Sequence, residues 1–161
     1  MDADGLIECL ESAAAQKEHG NQALSENDAK TALARYYDAL KLVEGRPKLA
    51  PSGCSEQYRL LWDQCSRQAV ELELACQLNI AHCCIKLQMW TEAVDAAGAA
   101  LQRDPRSVKA HYRRGVARAG GGYLQEARID LLAAAKLSPQ DKAIRRELVA
   151  VKRQILSLIH I

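Results

Sequence analysis

The sequence contains no phenylalanine, and aromatic residues of all kinds make up only 4% of its 161 residues. Runs of β-branched residues are also missing, whereas alanine and leucine are abundant. Aromatic and β-branched residues favour strands, while Ala and Leu favour helices, so the composition predicts an all-α protein. At this length we expect one domain with room for a continuous core.

The sequence also lacks a strong net charge, a long apolar stretch and a basic leader. A formal net charge of +2 gives no reason to expect binding to nucleic acid or to an anionic membrane. No stretch approaches the roughly 20 apolar residues of a membrane span, and the acidic start Met1-Asp-Ala-Asp-Gly5 does not resemble a secretory signal. We therefore expect a cytoplasmic protein, with the nucleus as a second compartment and no membrane segment within this chain.

Patterns typical of metal, cofactor or catalytic sites are absent too. The six cysteines show no Cys-x-x-Cys spacing, so we expect reduced, mostly buried thiols and no metal site. The run Gly120–Gly122 is not followed by Lys-Ser and predicts a turn between helices, not a phosphate loop. His19, His82 and His111 have no Asp or Cys at a useful spacing and are interpreted as packing or edge residues. The sequence predicts no catalytic residue and no cofactor.

A repeat with a period of 34 residues links two stretches, 74–106 and 108–140. Five pairs carry it: Asn79 and Arg113, Glu92 and Glu126, Ala93 and Ala127, Ala100 and Ala134, and Pro105 and Pro139. A unit of this length, with small residues at helix crossings and a closing proline, resembles the tetratricopeptide repeat (TPR), a helix-turn-helix unit. The resemblance implies seven helices in a right-handed superhelix, made of three such units and a C-terminal capping helix. Its extended concave surface is typical of peptide binding.

The predicted boundaries follow from the turn signals. Residues 1 to 7 are expected to fray, and the first unit spans about 8–44. A loop with two Gly and two Pro occupies about 45–55. The second unit covers about 56–105 and starts with one overlong helix from Glu56 to Leu87, while the third covers about 107–138. Ser138 is predicted to cap a last helix over about 139–158, whose apolar stripe is Ile144, Leu148, Val151, Ile155 and Leu158.

Polar residues recur on the helices that would line the concave groove. Residues four apart on a helix point almost the same way, which pairs Lys17 with Asn21 and Lys109 with Arg113. Asn79 holds in the second unit the place that Arg113 holds in the third. The five residues are therefore expected to converge, and their donors suit a chain end with two carboxylates.

Lys17-Glu-His-Gly-Asn21, Asn79 and Lys109-Ala-His-Tyr-Arg113 resemble the carboxylate clamp of co-chaperone TPR domains. These include the TPR domains of large FKBP-type immunophilins and of aryl-hydrocarbon-receptor-interacting proteins. The resemblance implies that the five residues bind the acidic C-terminal Glu-Glu-Val-Asp (EEVD) tail of heat-shock protein 90, or of heat-shock protein 70. Leu24 and His82 are candidates for a side pocket that contacts the apolar tail residue.

Other functions remain open at this point. A TPR scaffold could bind internal peptides or other proteins without a free carboxylate, and the basic C-terminal helix could be a calmodulin target. The immunophilin resemblance suggests prolyl isomerase activity, but that activity belongs to a β-rich domain which no segment here supplies. We expect a non-enzymatic interaction module.

Overall fold

Seven helices account for most of residues 2–160, the part of the chain that the computed structural model describes. They are α1 (Ala3–Ser25), α2 (Ala29–Glu44), α3 (Glu56–Lys86), α4 (Trp90–Arg103), α5 (Val108–Gly120), α6 (Leu124–Leu137) and α7 (Lys142–Ile159). No strand occurs among these described residues. The all-α, seven-helix prediction is therefore confirmed.

The chain divides into two compact units, Met1–Asn79 and Ile80–Ile161. The first contains α1, α2 and α3 as far as Asn79, and the second contains the end of α3 and α4 to α7. Within the first unit α1 packs on α2, and within the second α4 packs on α5, α5 on α6, and α7 on α6.

Small residues allow the close helix packing within each unit. Ala13, Ala32 and Ala39 of the first unit have no exposed surface, and the same is true of Ala93, Ala100, Ala110, Ala127 and Ala134 of the second. A larger side chain at these crossings would need the backbones to move apart, because protein interiors are close-packed. The alanine positions of the 34-residue period thus mark helix contacts.

The loop after α2 is tied to α3 by a buried ion pair. Arg46 Nη1 lies 2.6 Å from Glu73 Oε1 and also donates a hydrogen bond to the carbonyl of Val43. Both charged side chains are about nine-tenths buried, at 8% and 10% exposure. A buried charge needs such a partner, so the pair holds the start of the Gly/Pro-rich loop against the long helix.

Three details differ from the sequence predictions. The prediction that residues 1 to 7 fray is wrong from residue 3 onwards, where α1 begins. The Asp2 side chain caps this helix by accepting a hydrogen bond from the Gly5 amide. Met1 lies outside the described residues. The N-cap of α7 is Asp141 and not Ser138, because the helix begins only at Lys142. The Asp141 carboxylate accepts hydrogen bonds from the backbone amides of Ala143 and Ile144.

The third difference concerns the apolar stripe of α7. Ile144 and Val151 are buried, and Leu148 and Ile155 pack against a core of Ala127, Leu131 and Val151. Leu158 does not continue the stripe, because it is 61% exposed. The capping contacts of α7 therefore weaken toward the C-terminal end of the helix.

Candidate functional site

Two of the predicted donors, Asn21 on α1 and Asn79 on α3, meet in the first unit. Asn79 Nδ2 donates to Asn21 Oδ1 at 3.3 Å, across 58 residues of sequence. Both side chains are half-buried. The repeat pattern predicted that both amides face one groove, and the hydrogen bond is the contact that the structure shows between them.

Tyr36 fixes the orientation of Asn21. Its hydroxyl donates to Asn21 Oδ1 at 2.8 Å, and its ring is fully buried. The ring packs directly on α1 at Gly20, where an added Cβ would lie 2.7 Å from Tyr36 Cε1. Since Oδ1 already accepts two hydrogen bonds, the Asn21 amide nitrogen points the other way, toward the surface.

A carboxylate of the protein itself occupies that surface. Asn21 Nδ2 donates to both oxygens of Glu18 at 3.3 Å, and Lys17 Nζ lies 3.4 Å from Glu18 Oε1. Glu18 is mostly exposed, whereas the Lys17 side chain is 27% exposed. Donors from Lys17 and Asn21 therefore share one carboxylate.

The charge of Lys17 also reaches α3. Burial raises the pKa of Cys76 to about 11, and the positive charge of Lys17 acts in the opposite direction. Cys76 lies one turn before Asn79 on the same helix. The three donors of the first unit, Lys17, Asn21 and Asn79, thus belong to the adjoining surfaces of α1 and α3.

The second unit carries the other two donors on α5. Ser107 caps this helix by accepting from the Ala110 amide, and Lys109 and Arg113 follow one turn apart. Lys109 is exposed and Arg113 is half-buried. Lys109 and Arg113 therefore form one cationic strip on α5.

Arg113 lies close to His82, one of the two side-pocket candidates. Burial lowers the pKa of His82, and the positive charges of Arg113 and Lys86 lower it further. The imidazole is therefore a neutral, half-buried group beside the cationic strip. Leu24, the other candidate, is half-buried on α1 of the first unit.

A buried ionic network in the second unit was missed at the sequence level. Asp130 of α6 is 1% exposed and accepts from Arg114 Nε and Nη2, the latter at 2.7 Å, and from Arg118 Nη1 at 2.7 Å. His111 Nδ1 lies 3.9 Å from Asp130, and its Nε2 is 2.9 Å from the carbonyl of Pro105. The sequence did contain one signal for this network, because Asp130 is an acidic residue on the same helix face as the buried Ala127 and Ala134.

Residues 2–160, which the structure describes, include potential metal ligands, among them all six cysteines. No group of three or more His, Cys, Asp or Glu is arranged to hold a metal ion there. All six cysteines are free thiols, and Cys65, Cys76, Cys83 and Cys84 are buried. None of the helices in this part of the chain is long and apolar enough to cross a bilayer.

Comparison with solved structures identifies the fold. The C-terminal TPR-containing domain of an FK506-binding protein from Plasmodium falciparum superimposes with a TM-score of 0.81 and 29% identity, covering 97% of this chain and 96% of that domain. The chain has the fold of a tetratricopeptide-repeat domain. The TPR domain also resembles part of the myosin chaperone UNC-45 of C. elegans, solved with a Hsp90 peptide, at 26% identity and a TM-score of 0.70. That match covers 89% of the TPR domain and 14% of UNC-45.

Curated relatives of the TPR domain are FKBP-type proteins. The peptidyl-prolyl cis-trans isomerase FKBP42 of Arabidopsis thaliana is 33% identical over 139 residues, or 86% of this chain and 35% of that protein. Human FKBP4 is 28% identical over 148 residues, or 92% of this chain and 30% of that protein. The chain thus spans about a third of the length of the curated relatives it matches. No protein-family model matches it.

Proposed function

We propose that this TPR domain is a non-catalytic co-chaperone module that binds the acidic EEVD tail of heat-shock protein 90, or that of heat-shock protein 70. Lys17, Asn21, Asn79, Lys109 and Arg113 form the carboxylate clamp. The observation that carries the proposal is the Asn79–Asn21 hydrogen bond, which joins two donors that are far apart in sequence. Lys17 lies one turn from Asn21 and adds a cation to the same surface.

The contacts of Glu18 support a carboxylate ligand. Its two oxygens accept from Asn21, and Oε1 lies near the Lys17 ammonium, so this surface binds a carboxylate of the chain itself. A peptide carboxylate that replaced Glu18 would meet the same donors. In the proposed complex, a carboxylate of the tail's C-terminal Asp accepts from these donors, and Lys109 and Arg113 are the further members of the proposed clamp.

The number of donors is sufficient for specific but modest binding. Hydrogen bonds to charged groups contribute about 1.5–3 kcal/mol each. Ordering a flexible tail offsets much of the sum, which leaves roughly 8 kcal/mol, or about micromolar affinity. Because the donors are partly exposed, this affinity should fall as salt is added.

The similarity to UNC-45 supports the same ligand class. That chaperone was solved with a Hsp90 peptide, and it matches most of this chain at 26% identity. The isomerase names of FKBP42 and FKBP4 describe whole proteins, of which the matched regions make up 35% and 30%. We assign no isomerase activity to the described helices, and we place the module in the cytoplasm, with the nucleus as a second compartment.

Calorimetric titration of Lys17→Ala and Arg113→Ala with an acetylated EEVD peptide tests the proposal, one variant for each unit. Lys41→Ala, an exposed lysine on α2, is the matched control. Each clamp variant should lose at least tenfold in affinity at unchanged helix content, while the control binds like the parent domain. Parent-like affinity in both clamp variants would contradict the clamp.

A TPR scaffold for internal peptides is the alternative function. It uses the same helices but needs no free chain end. The two functions therefore differ in one requirement, a terminal carboxylate on the ligand.

Calmodulin binding at α7 is a second proposal, favoured by exposed apolar residues on a basic helix. Leu156, Leu158 and Ile159 are 56%, 61% and 69% exposed, and Lys152 and Arg153 precede them. Titration with calcium-loaded calmodulin should show binding that Leu156→Glu abolishes.

A further inference from the structure

A cavity lies in the second unit between α4, α5 and the start of α6. Its volume is about 480 Å³, within the range of about 300–1,000 Å³ typical of ligand pockets. The lining includes two aromatic residues, Trp90 and Tyr123, and two acidic residues, Asp95 and Glu126. None of the five clamp residues lines it.

Glycine at position 120 positions the indole of Trp90. A Cβ at Gly120 would lie 2.7 Å from Trp90 Cε3 and Cζ3, so the ring packs directly on the end of α5. The turn Gly120–Gly122 therefore does more than connect two helices. Tyr123, which follows it, is 64% exposed and provides a second aromatic surface.

The two carboxylates at the cavity have no partner within the described part of the chain. Asp95 and Glu126 are exposed, and neither forms a hydrogen bond or an ion pair with a described residue. Arg118 also lines the cavity, but its guanidinium is bound to buried Asp130 at 2.7 Å. The acidic groups thus remain available to a ligand.

From these features we propose that the cavity binds a cationic side chain, a lysine or an arginine, of a protein partner. A cation over an aromatic face is attracted by the negative face of the ring, most strongly by Trp, and arginine is the more frequent partner. The carboxylates of Asp95 and Glu126 supply the charge complement. The cavity is therefore a docking site for a basic segment of a partner. Binding at this site does not depend on an acidic tail being bound by the clamp residues.

Small-molecule probes separate charge from shape. N-acetyl-arginine amide carries the cation, whereas N-acetyl-citrulline amide is its neutral isostere. We expect the arginine probe to shift the Trp90 indole N–H resonance of the intact domain with saturation in the millimolar range, and the citrulline probe to leave it unmoved. Trp62→Phe assigns the two indole signals, since the chain has two tryptophans.

Substitutions at the cavity complete the test. Asp95→Asn with Glu126→Gln should weaken the arginine probe at least fivefold, and Tyr123→Ala should weaken it at constant charge. Glu92→Gln is the matched control, because Glu92 is exposed on the same helix as Asp95 and does not line the cavity. Equal shifts with both probes, no shift with either, or undiminished binding in the cavity variants would overturn the proposal.

Discussion

The hydroxyl of Tyr36 on α2 donates a hydrogen bond of 2.8 Å to the side-chain oxygen of Asn21 on α1. Asn79 donates to the same oxygen, so the amide of Asn21 has one orientation that satisfies both neighbours. A buried tyrosine therefore determines which way a proposed ligand-binding amide points. In this domain the ligand donors and the helix packing depend on each other.

Tyr36→Phe tests that dependence. The ring still fills its buried site, but Asn21 Oδ1 loses one of its two donors. We expect the free energy of unfolding to fall by about 1 kcal/mol, as is typical for one hydrogen bond. The affinity for an EEVD peptide should also fall about threefold, because the Asn21 amide is less well oriented. This loss is smaller than the tenfold change that corresponds to about 1.4 kcal/mol. Calorimetry and urea unfolding measure both effects, and full affinity in a destabilised variant would separate Tyr36 from the ligand.

Glu18→Gln should strengthen tail binding. Glu18 competes for the donors of Lys17 and Asn21, and a bound carboxylate must displace it. Because exposed ion pairs contribute only about 0.2–1 kcal/mol, the gain should be modest, at most about fivefold. Glu11→Gln is the control. Glu11 is exposed on the same helix but at a distance from these donors, so removing its charge should change the affinity less. Weaker binding in Glu18→Gln would show that Glu18 assists the ligand.

The sequence supplied candidate donors but did not predict which side chains support them. The 34-residue period gave Asn79 its position relative to Arg113, and the contact of Asn79 with Asn21 agrees with that placement. Tyr36 and Glu18 were not predicted as neighbours of Asn21, since a repeat pattern fixes backbone positions but not the hydrogen bonds of individual side chains. The clamp as a set of five residues stays a prediction.

Gly20→Ala tests the packing of α1 on α2, and Gly98→Ala in α4 is its control. An added Cβ at Gly20 meets the Tyr36 ring at 2.7 Å, whereas at Gly98 in α4 nothing lies within 4 Å. Overpacking should cost Gly20→Ala about 1–3 kcal/mol of unfolding free energy. Gly98→Ala should gain about 0.5–1 kcal/mol, because alanine favours a helix interior. Urea unfolding of both variants checks the signs, and equal effects would contradict the packing described for Gly20.

His82 should make the stability of the domain depend on pH. Its pKa in the folded state is lowered from 6.5 by burial, by Arg113 and by Lys86, so the unfolded chain takes up the proton more readily. The contribution of neutral His82 is complete above about pH 6.5 and is lost as the pH falls through the folded pKa. His82→Gln should therefore lose less unfolding free energy between pH 7.5 and pH 5 than the parent domain does. His19→Gln, at an exposed position on α1, should behave like the parent.

The buried network around Asp130 shows why part of the second unit was out of reach of sequence reasoning. Sequence spacing gave His111 no acidic partner, yet Asp130 on the next helix lies 3.9 Å away. Arg114 and Arg118 would be interpreted as solvated side chains, but both bind the buried carboxylate. Contacts between helices depend on their rotation and separation, which a repeat period does not specify. The Trp90 cavity was missed for the same reason.

The requirement for a free chain end is the most direct test of the proposed function. The measurement is a calorimetric titration of the parent domain with acetyl-Glu-Glu-Val-Asp as the free acid and, in parallel, as the C-terminal amide. We expect the acid to bind with roughly micromolar affinity and the amide to bind at least tenfold more weakly, a difference of about 1.4 kcal/mol or more. Equal affinities for the two peptides would contradict the carboxylate clamp and favour a scaffold that binds internal segments.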